Sequence, residues 1–584
     1  EGDLRAWLFS ILYRQFLDVE YAPETGLTLA ELKREVGACL RDHAHEPRVL
    51  RKARVFALIL TRGQIAIDPR DWFVDKLNHG HLLRKLVNDA WREEAAAGPI
   101  ATEASWFENS FRIGLAKSGL DTGHISPGWE RMFAGGLAGL IEEAARERAA
   151  LGDGITAEQA AFYDAVEIVY RAAIALAGRF AALARQMIGD YPEHAERLRA
   201  IAETCERVPA CSPQTFHQAL QFHWLMHELV ELEGELVRSA GHFDRVFYPY
   251  YRADLDAGRL TREQAIELIQ FFWFKHFART RGKDNGKNFV LGGQDGLGRD
   301  ATNELTWVAL DAYEGLHTPD PKLSVRYFPG SPDRLYTRVA DLIRQGYNAF
   351  VLMNDEPAIE ALVQRGKTIE DARLYLPIGC YEPAVDGKEA GCTMNLTLNL
   401  AKAVEYALHD GMDVLSGQQI GPHTGDPCAF TTYEQIRDAY FTQLDFLLTR
   451  SVNYIAAHER QWPNINPSPL IAGTIADCLA RGKDIGQGGP HYNSVGCVGA
   501  GLANAADSLL ALKKAVYEER RYTMADILAA LDRDFEGGEA MRQYLINRTP
   551  KWGNGHAEAD ALAKEIADHY CALVHSFTNA RGGA

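Results

Sequence analysis

The sequence predicts an α/β fold with a largely helical N-terminal part. Three observations carry that prediction. Apolar residues recur at helical spacing through roughly the first 210 positions. Beyond them, short β-leaning runs alternate with helical sequence, as parallel strands joined by crossover helices do. No short repeat and no low-complexity linker divides the 584 residues, 47% of which are hydrophobic, so one large core can be buried.

In chain order, Asp3 to about Lys117 reads as helices with polar connections, broken at Pro69-Arg70-Asp71-Trp72-Phe73. From Pro127 to Arg207 the spacing stays helical, as in Ile141, Ala144, Ala145 and then Tyr163, Val166, Val169, Tyr170. Thr156-Ala157-Glu158-Gln159 and Thr261-Arg262-Glu263-Gln264 carry the capping-box pattern that opens a helix. Residues 214–234 and 262–278 read as long amphipathic or buried helices. Asn288 to Leu291, Leu323 to Tyr327 and Ala349 to Met353 are the β-like runs. The whole of 1–584 reads as one large unit, with its helical part over about 1–210.

Composition bounds the function. A formal charge of −17 disfavours nucleic acid and anionic membrane as partners. No run is long enough to span a membrane and no secretory signal opens the chain, which begins at Glu1. Nine cysteines are scattered without CxxC pairs, which fits reduced thiols in a cytoplasm.

Chemistry concentrates in Leu374-Tyr375-Leu376-Pro377-Ile378-Gly379-Cys380-Tyr381-Glu382-Pro383. An apolar β-leaning run stops at a glycine, and a thiol follows with a carboxylate two residues on. In an extended segment, residues two apart share a face, which would aim Cys380 and Glu382 into one cavity as thiol and general base. The competing reading is an inert, buried cysteine near a surface glutamate.

Gly379-Cys380-Tyr381-Glu382-Pro383 resembles the Gly-Cys-x-Glu-Pro loop of the glycyl radical enzymes, in particular their eliminase and decarboxylase branches. Further stretches resemble the same family in the same order: Gly123-His124-Ile125-Ser126-Pro127, Phe243-Asp244-Arg245 with Tyr248 to Tyr251, Asn354-Asp355-Glu356, Gly366 to Arg373, and a helix from Ala503 to Glu519. The resemblance implies a ten-stranded α/β barrel enclosed by helices, with the cysteine loop inside it and shielded from oxygen and stray hydrogen donors. It implies that Cys380, as a thiyl, takes hydrogen from a small organic substrate and that Glu382 accepts or relays a proton. A C–O, C–N, C–S or C–C bond then breaks, as in dehydration or decarboxylation. His124 corresponds to a histidine lining the substrate cavity of some dehydratases, with a helix-capping or core histidine as the alternative. The implied cofactor is a glycyl radical, installed by an activating partner that uses S-adenosylmethionine and an iron–sulfur cluster. A homo-oligomer is expected.

The chain also departs from the pattern. Polyol dehydratases carry Gly-His-Ser where this chain has Glu235, Leu236 and Val237, and an aspartate in the region of Met394 and Asn395. A pocket lined by His124, Leu236, Val237, Met394 and Asn395 would favour a substrate less hydroxylated than glycerol, with an apolar or aromatic part. Cys392 is an extra thiol, yet Cys380 is followed by Tyr381, so the adjacent cysteine pair of pyruvate formate-lyase is not reproduced. His223 and His227, with Glu228 and Glu231, have the helical spacing of a metal site, but no distant ligand stands out and a packed or solvated helix face is the expectation. Gly292 to Gly298 lacks the Lys-Ser/Thr ending of a phosphate loop and reads as turns. Asn579 to Ala584 resembles a segment that precedes the family's Arg-Val-x-Gly-Tyr/Phe radical loop, so no glycine here is expected to hold the radical. The rival readings are a polar Cys/Glu lyase or hydrolase, and a catalytically silent barrel or scaffold.

Overall fold

A computed structural model describes residues 25–96, 106, 108–118, 124–235, 237, 239–279 and 287–583, with the backbone alone at 392–394. The chain forms two compact units, each assembled from separate segments. The first comprises Glu1–Arg92, Thr122–Cys392 and Trp462–Asn493; the second comprises Glu93–Asp121, Thr393–Gln461 and Ser494–Ala584.

Helices of the first unit start where the sequence says they should. Thr156 and Gln159 close a reciprocal capping box on Ala157–Met187, and Thr261 and Gln264 do the same for Arg262–Arg279. The helix Phe216–Glu233 is buried nearly all round, which explains why its sequence shows little polar face. Pro69 to Phe73 is a non-helical turn between the short strands β1 (Ile65–Ala66) and β2 (Lys76–Leu77).

A parallel sheet lies at the centre of this unit. After β3 (Ala116–Ser118), which belongs to the second unit, come β4 (Ser239–His242), β5 (Asn288–Gly292), β6 (Lys322–Tyr327) and β7 (Phe350–Asn354), paired in that order. Register is continuous from β5 to β7, with Asn288 beside Lys322 and Ser324 beside Val351, and shifts between Ser239 and His242 where β4 meets β5. Every residue of β5 is buried, and all but the last of β6, as in parallel strands covered on both faces. Glu304–Leu316 and Asp333–Arg344 supply the crossovers; the latter buries Leu335, Val339 and Leu342 along one stripe. The three β-like runs of the sequence are thus strands, and the glycine-rich 292–298 stretch is a turn organised around the Asp295 carboxylate.

An antiparallel hairpin follows, β8 (Tyr375–Ile378) and β9 (Glu382–Val385), with Ile378 opposite Glu382. Leu376, Ile378 and Ala384 form a small core with Val290 of β5. Pro377 faces Pro383 across the hairpin, so the two residues that cannot donate share one position of the ladder.

In the second unit, Leu396 to Leu398 of β10 (Glu389–Asn399) pair antiparallel with β3. The helices Leu400–Leu408, Leu502–Leu512 and Ala557–His575 bury Leu400, Leu509 and Ile566 in a separate core. The expected helix from Ala503 onward is present, and it ends in a π-helical turn over Lys513–Glu518. Among the described residues, no helix is long and apolar enough to cross a membrane.

Candidate active site

Gly379-Cys380-Tyr381 is the entire loop between β8 and β9. Tyr381 N–H donates to Ile378 O at 2.9 Å and closes the turn. Two residues take positive φ to make so short a connection, Gly379 at 53° and Tyr381 at 84°. Glycine does this freely, whereas a tyrosine there costs on the order of 1–3 kcal/mol that the surrounding packing must offset. Cys380 sits at the apex and is exposed, so it is not a buried cysteine. Because the apex is a turn, the alternation of an extended strand does not govern Cys380 and Glu382. The hairpin itself brings them together, with Glu382 as the first residue of β9 and half-buried.

His124 approaches this turn from 255 positions earlier in the chain. It is buried, and a Cβ placed on Gly379 would lie inside van der Waals contact of its Cδ2 and Nε2. Gly379 is therefore fixed twice, by its φ and by the imidazole lying over its Cα. The next residue, Ile125, bridges both Val237, in parallel, and Ala390, antiparallel.

Below the turn, buried polar groups set the position of β8. Asn288 Nδ2 donates to Gly379 O at 3.2 Å, and Ser324 Oγ donates to Asn288 Oδ1 at 3.1 Å. Arg326, wholly buried, forms a two-point ion pair with Asp355 at 2.8 and 2.9 Å. Its guanidinium also donates to the carbonyls of Tyr375 and Arg373 and lies 4.0 Å from the Tyr375 ring centroid. Tyr375 Oη returns a hydrogen bond to Asp355 at 3.1 Å. On the far side, Val385 N–H donates to Glu389, which pairs with Lys367. Asp244, tied to Thr306 Oγ1 and Gly292 N–H, is pushed up to about 6 by burial.

The other expected site residues fall as follows. Val237 is buried in the main core of the first unit, against Ile125. Asn395 is buried in the second unit. Leu236 lies outside the described residues, and so do the side chains of Met394 and Cys392. His223 and His227 are not a solvated face. His223 stacks on Trp129 and bonds Ala240 O, while the Lys287 ammonium stands 2.8 Å from His227 Nε2 and 2.7 Å from Glu231. A lysine ammonium thus stands against two of the three groups, His227 and Glu231, that could hold a metal with Glu228.

Sequence reading missed Asn288, Ser324, Arg326 and Tyr375. Their one visible signal is a polar residue at the start or inside of an apolar β-run, a position that burial tolerates only when a partner is supplied.

Known proteins share the sequence and the fold of this chain. Residues 60–584 match the family model described as pyruvate formate lyase-like. Trans-4-hydroxy-L-proline dehydratase of Clostridioides difficile is 33% identical over 446 residues, 74% of this chain and 56% of that one. (2S)-3-sulfopropanediol dehydratase of Klebsiella oxytoca is 31% identical over 524 residues, 86% of this chain and 62% of that one. The chain therefore spans only about three fifths of the length of these relatives. A solved structure from Roseburia inulinivorans, described for 1,2-propanediol dehydration, superposes with a TM-score of 0.87 at 28% identity, covering 100% of this chain and 80% of that one. That likeness gives the α/β barrel expected from the sequence. With an exposed cysteine and a glutamate on one tight hairpin, in a barrel of this kind, the chain belongs to the pyruvate formate-lyase-like glycyl radical enzymes, on their dehydratase and lyase branch.

Proposed function

We propose that the protein is a radical lyase in which Cys380 takes hydrogen from a small organic substrate and Glu382 manages the proton as a neighbouring bond breaks. The observation that carries this is the turn itself, a thiol exposed at the apex of a three-residue loop with a carboxylate at the first position of the returning strand. The glycyl radical that the family uses, installed by a radical S-adenosylmethionine activating enzyme, would supply the oxidising equivalent by exchanging a hydrogen atom with a cysteine thiol. Cys380 fits that exchange because it is exposed at the apex of the turn. Glu382 serves as base: a hydroxyl on a radical-bearing carbon is far more acidic than in the parent alcohol, and its deprotonation helps expel the group next to it. His124, held against Gly379, borders the reacting carbon as a hydrogen-bonding or proton-delivering group.

For the substrate we favour a cyclic or amino molecule over a simple polyol. Leu236, Val237 and Met394 replace polar positions of the polyol enzymes, and trans-4-hydroxy-L-proline dehydratase is among the relatives matched. We place the enzyme in the cytoplasm, as a homo-oligomer acting without nucleic acid or membrane.

Cys380→Ala in activated enzyme is the test: turnover should fall to background while the fold persists, because a methyl group cannot form a thiyl. Retained turnover would reject the mechanism, and glycerol or propanediol as the best substrate would reject the pocket assignment.

A further inference from the structure

The segment His124-Ile125-Ser126-Pro127-Gly128 runs along the cysteine hairpin from tip to base. His124 lies on Gly379 at the tip. At the base, Ser126 Oγ donates to Asp386 Oδ1 at 3.1 Å, and a Cβ on Gly387 would come within 3.0 Å of Gly128 Cα. Asp386 immediately follows β9, and its side chain is only 8% exposed. Arg245 Nη2 stands 3.6 Å from its other oxygen and is itself held by Glu130 at 2.7 Å. Ser126 is two residues from His124 in a stretch whose middle residue, Ile125, makes β-bridges on both sides, so both side chains face the hairpin.

We propose that Asp386 is a positioning residue for the cysteine turn: through Ser126 it clamps the 124–128 segment to the base of the hairpin and thereby holds the His124 imidazole over Gly379. A short segment held at one end by the clamp and on both sides by backbone bridges leaves His124 little freedom to swing. The same contact keeps the turn closed, since the ring blocks outward movement of Gly379. The catalytic consequence rests on the reading of His124 and Cys380 as groups that meet substrate; the mechanical one does not.

Hydrogen exchange over residues 376–383, measured on wild type, S126A, D386A, D386N, H124A and the H124A/D386A double variant, tests the clamp, with kcat/KM on activated enzyme in parallel. The expected result is exchange at the Tyr381 amide about tenfold faster in S126A and D386A, the size set by one lost hydrogen bond. D386N, which keeps an oxygen for Ser126 to donate to, should stay near wild type. H124A/D386A should exchange no faster than H124A alone, because Asp386 acts through the imidazole. A matching loss of kcat/KM in D386A, recovered in D386N, is expected. If D386A loosens both units throughout, S126A, which removes only a hydroxyl, decides. Unchanged exchange at the tip in S126A, or an equal effect of D386A with and without His124, overturns the proposal. Faster exchange in an enzyme that turns over no substrate would instead leave the clamp standing and count against the radical reading.

Discussion

Gly379→Ala separates the two constraints on the cysteine turn. The first is conformational: at φ 53° a Cβ crowds the following carbonyl, at about 1–2 kcal/mol. The second is steric, because that Cβ would fall inside contact distance of His124 Cδ2 and Nε2, atoms of a rigid ring that is itself buried. Overpacking of this kind costs about 1–3 kcal/mol as neighbours shift. The single variant should therefore lose about 2–5 kcal/mol. In a His124→Ala background the ring is gone and only the conformational part remains, about 1–2 kcal/mol. The coupling energy between the two positions is then about 1–3 kcal/mol, readable from urea midpoints of wild type, both single variants and the double variant at constant m-value. Additivity within about 0.5 kcal/mol would mean that His124 does not lie on Gly379, and the site described above would lose its histidine.

Two further predictions concern the groups beneath and beside the turn. Asp355→Ala leaves Arg326 buried without its counter-charge and should cost about 3–5 kcal/mol in urea unfolding, against about 1 kcal/mol for Tyr375→Phe; a loss below 1 kcal/mol for the first would contradict the ion pair. Burial pushes the Asp386 carboxyl from 3.8 to about 7, against the pull of Arg245. Between those values the folded chain keeps a proton that the unfolded chain has lost, so stability should fall as pH rises from about 4 to about 7 and level off above, by up to about 4 kcal/mol for a group titrating alone. Asp386→Asn should flatten that slope, and an unaltered stability–pH profile in the variant would be evidence against it.

Much of the scaffold is legible in the sequence because it is written locally. Thr156 with Gln159, and Thr261 with Gln264, announce their helices within four residues, and β5, β6 and β7 stand out as β-leaning runs, the first two of them buried almost throughout. β4 is not legible in this way: Ser239-Ala240-Gly241-His242 has no strand pattern, and it is a strand because β5 offers it a parallel partner. The cysteine turn was legible in place but not in shape. Nothing about a tyrosine suggests a φ of 84°, and strand alternation between Cys380 and Glu382 does not describe a turn this tight. Long-range partners were the least legible. His124 over Gly379, Asn288 under it and Lys287 against His227 pair residues from 60 to 255 positions apart, and each side chain has an unremarkable local pattern of its own.

Those distant partners show how the turn tolerates its own strain. A three-residue loop with two positive φ values is a poor conformation for a free peptide, and the hairpin's own ladder is short, with two prolines facing each other in the middle of it. Its hold comes from outside. Arg326 takes the carbonyls of Arg373 and Tyr375 at the entry to β8, Asn288 takes the carbonyl of Gly379 at the tip, and Glu389 takes the Val385 N–H at the exit of β9. Each of these is a buried side chain bonding a backbone group, so movement of the hairpin would leave a polar atom unsatisfied in the core, at about 1–3 kcal/mol apiece. That penalty makes the turn rigid with respect to the parallel sheet, with Cys380 exposed at its apex. Under the proposed mechanism the thiol would first give up a hydrogen atom and later recover one from product, and such a support would serve both exchanges, because each requires the same short approach.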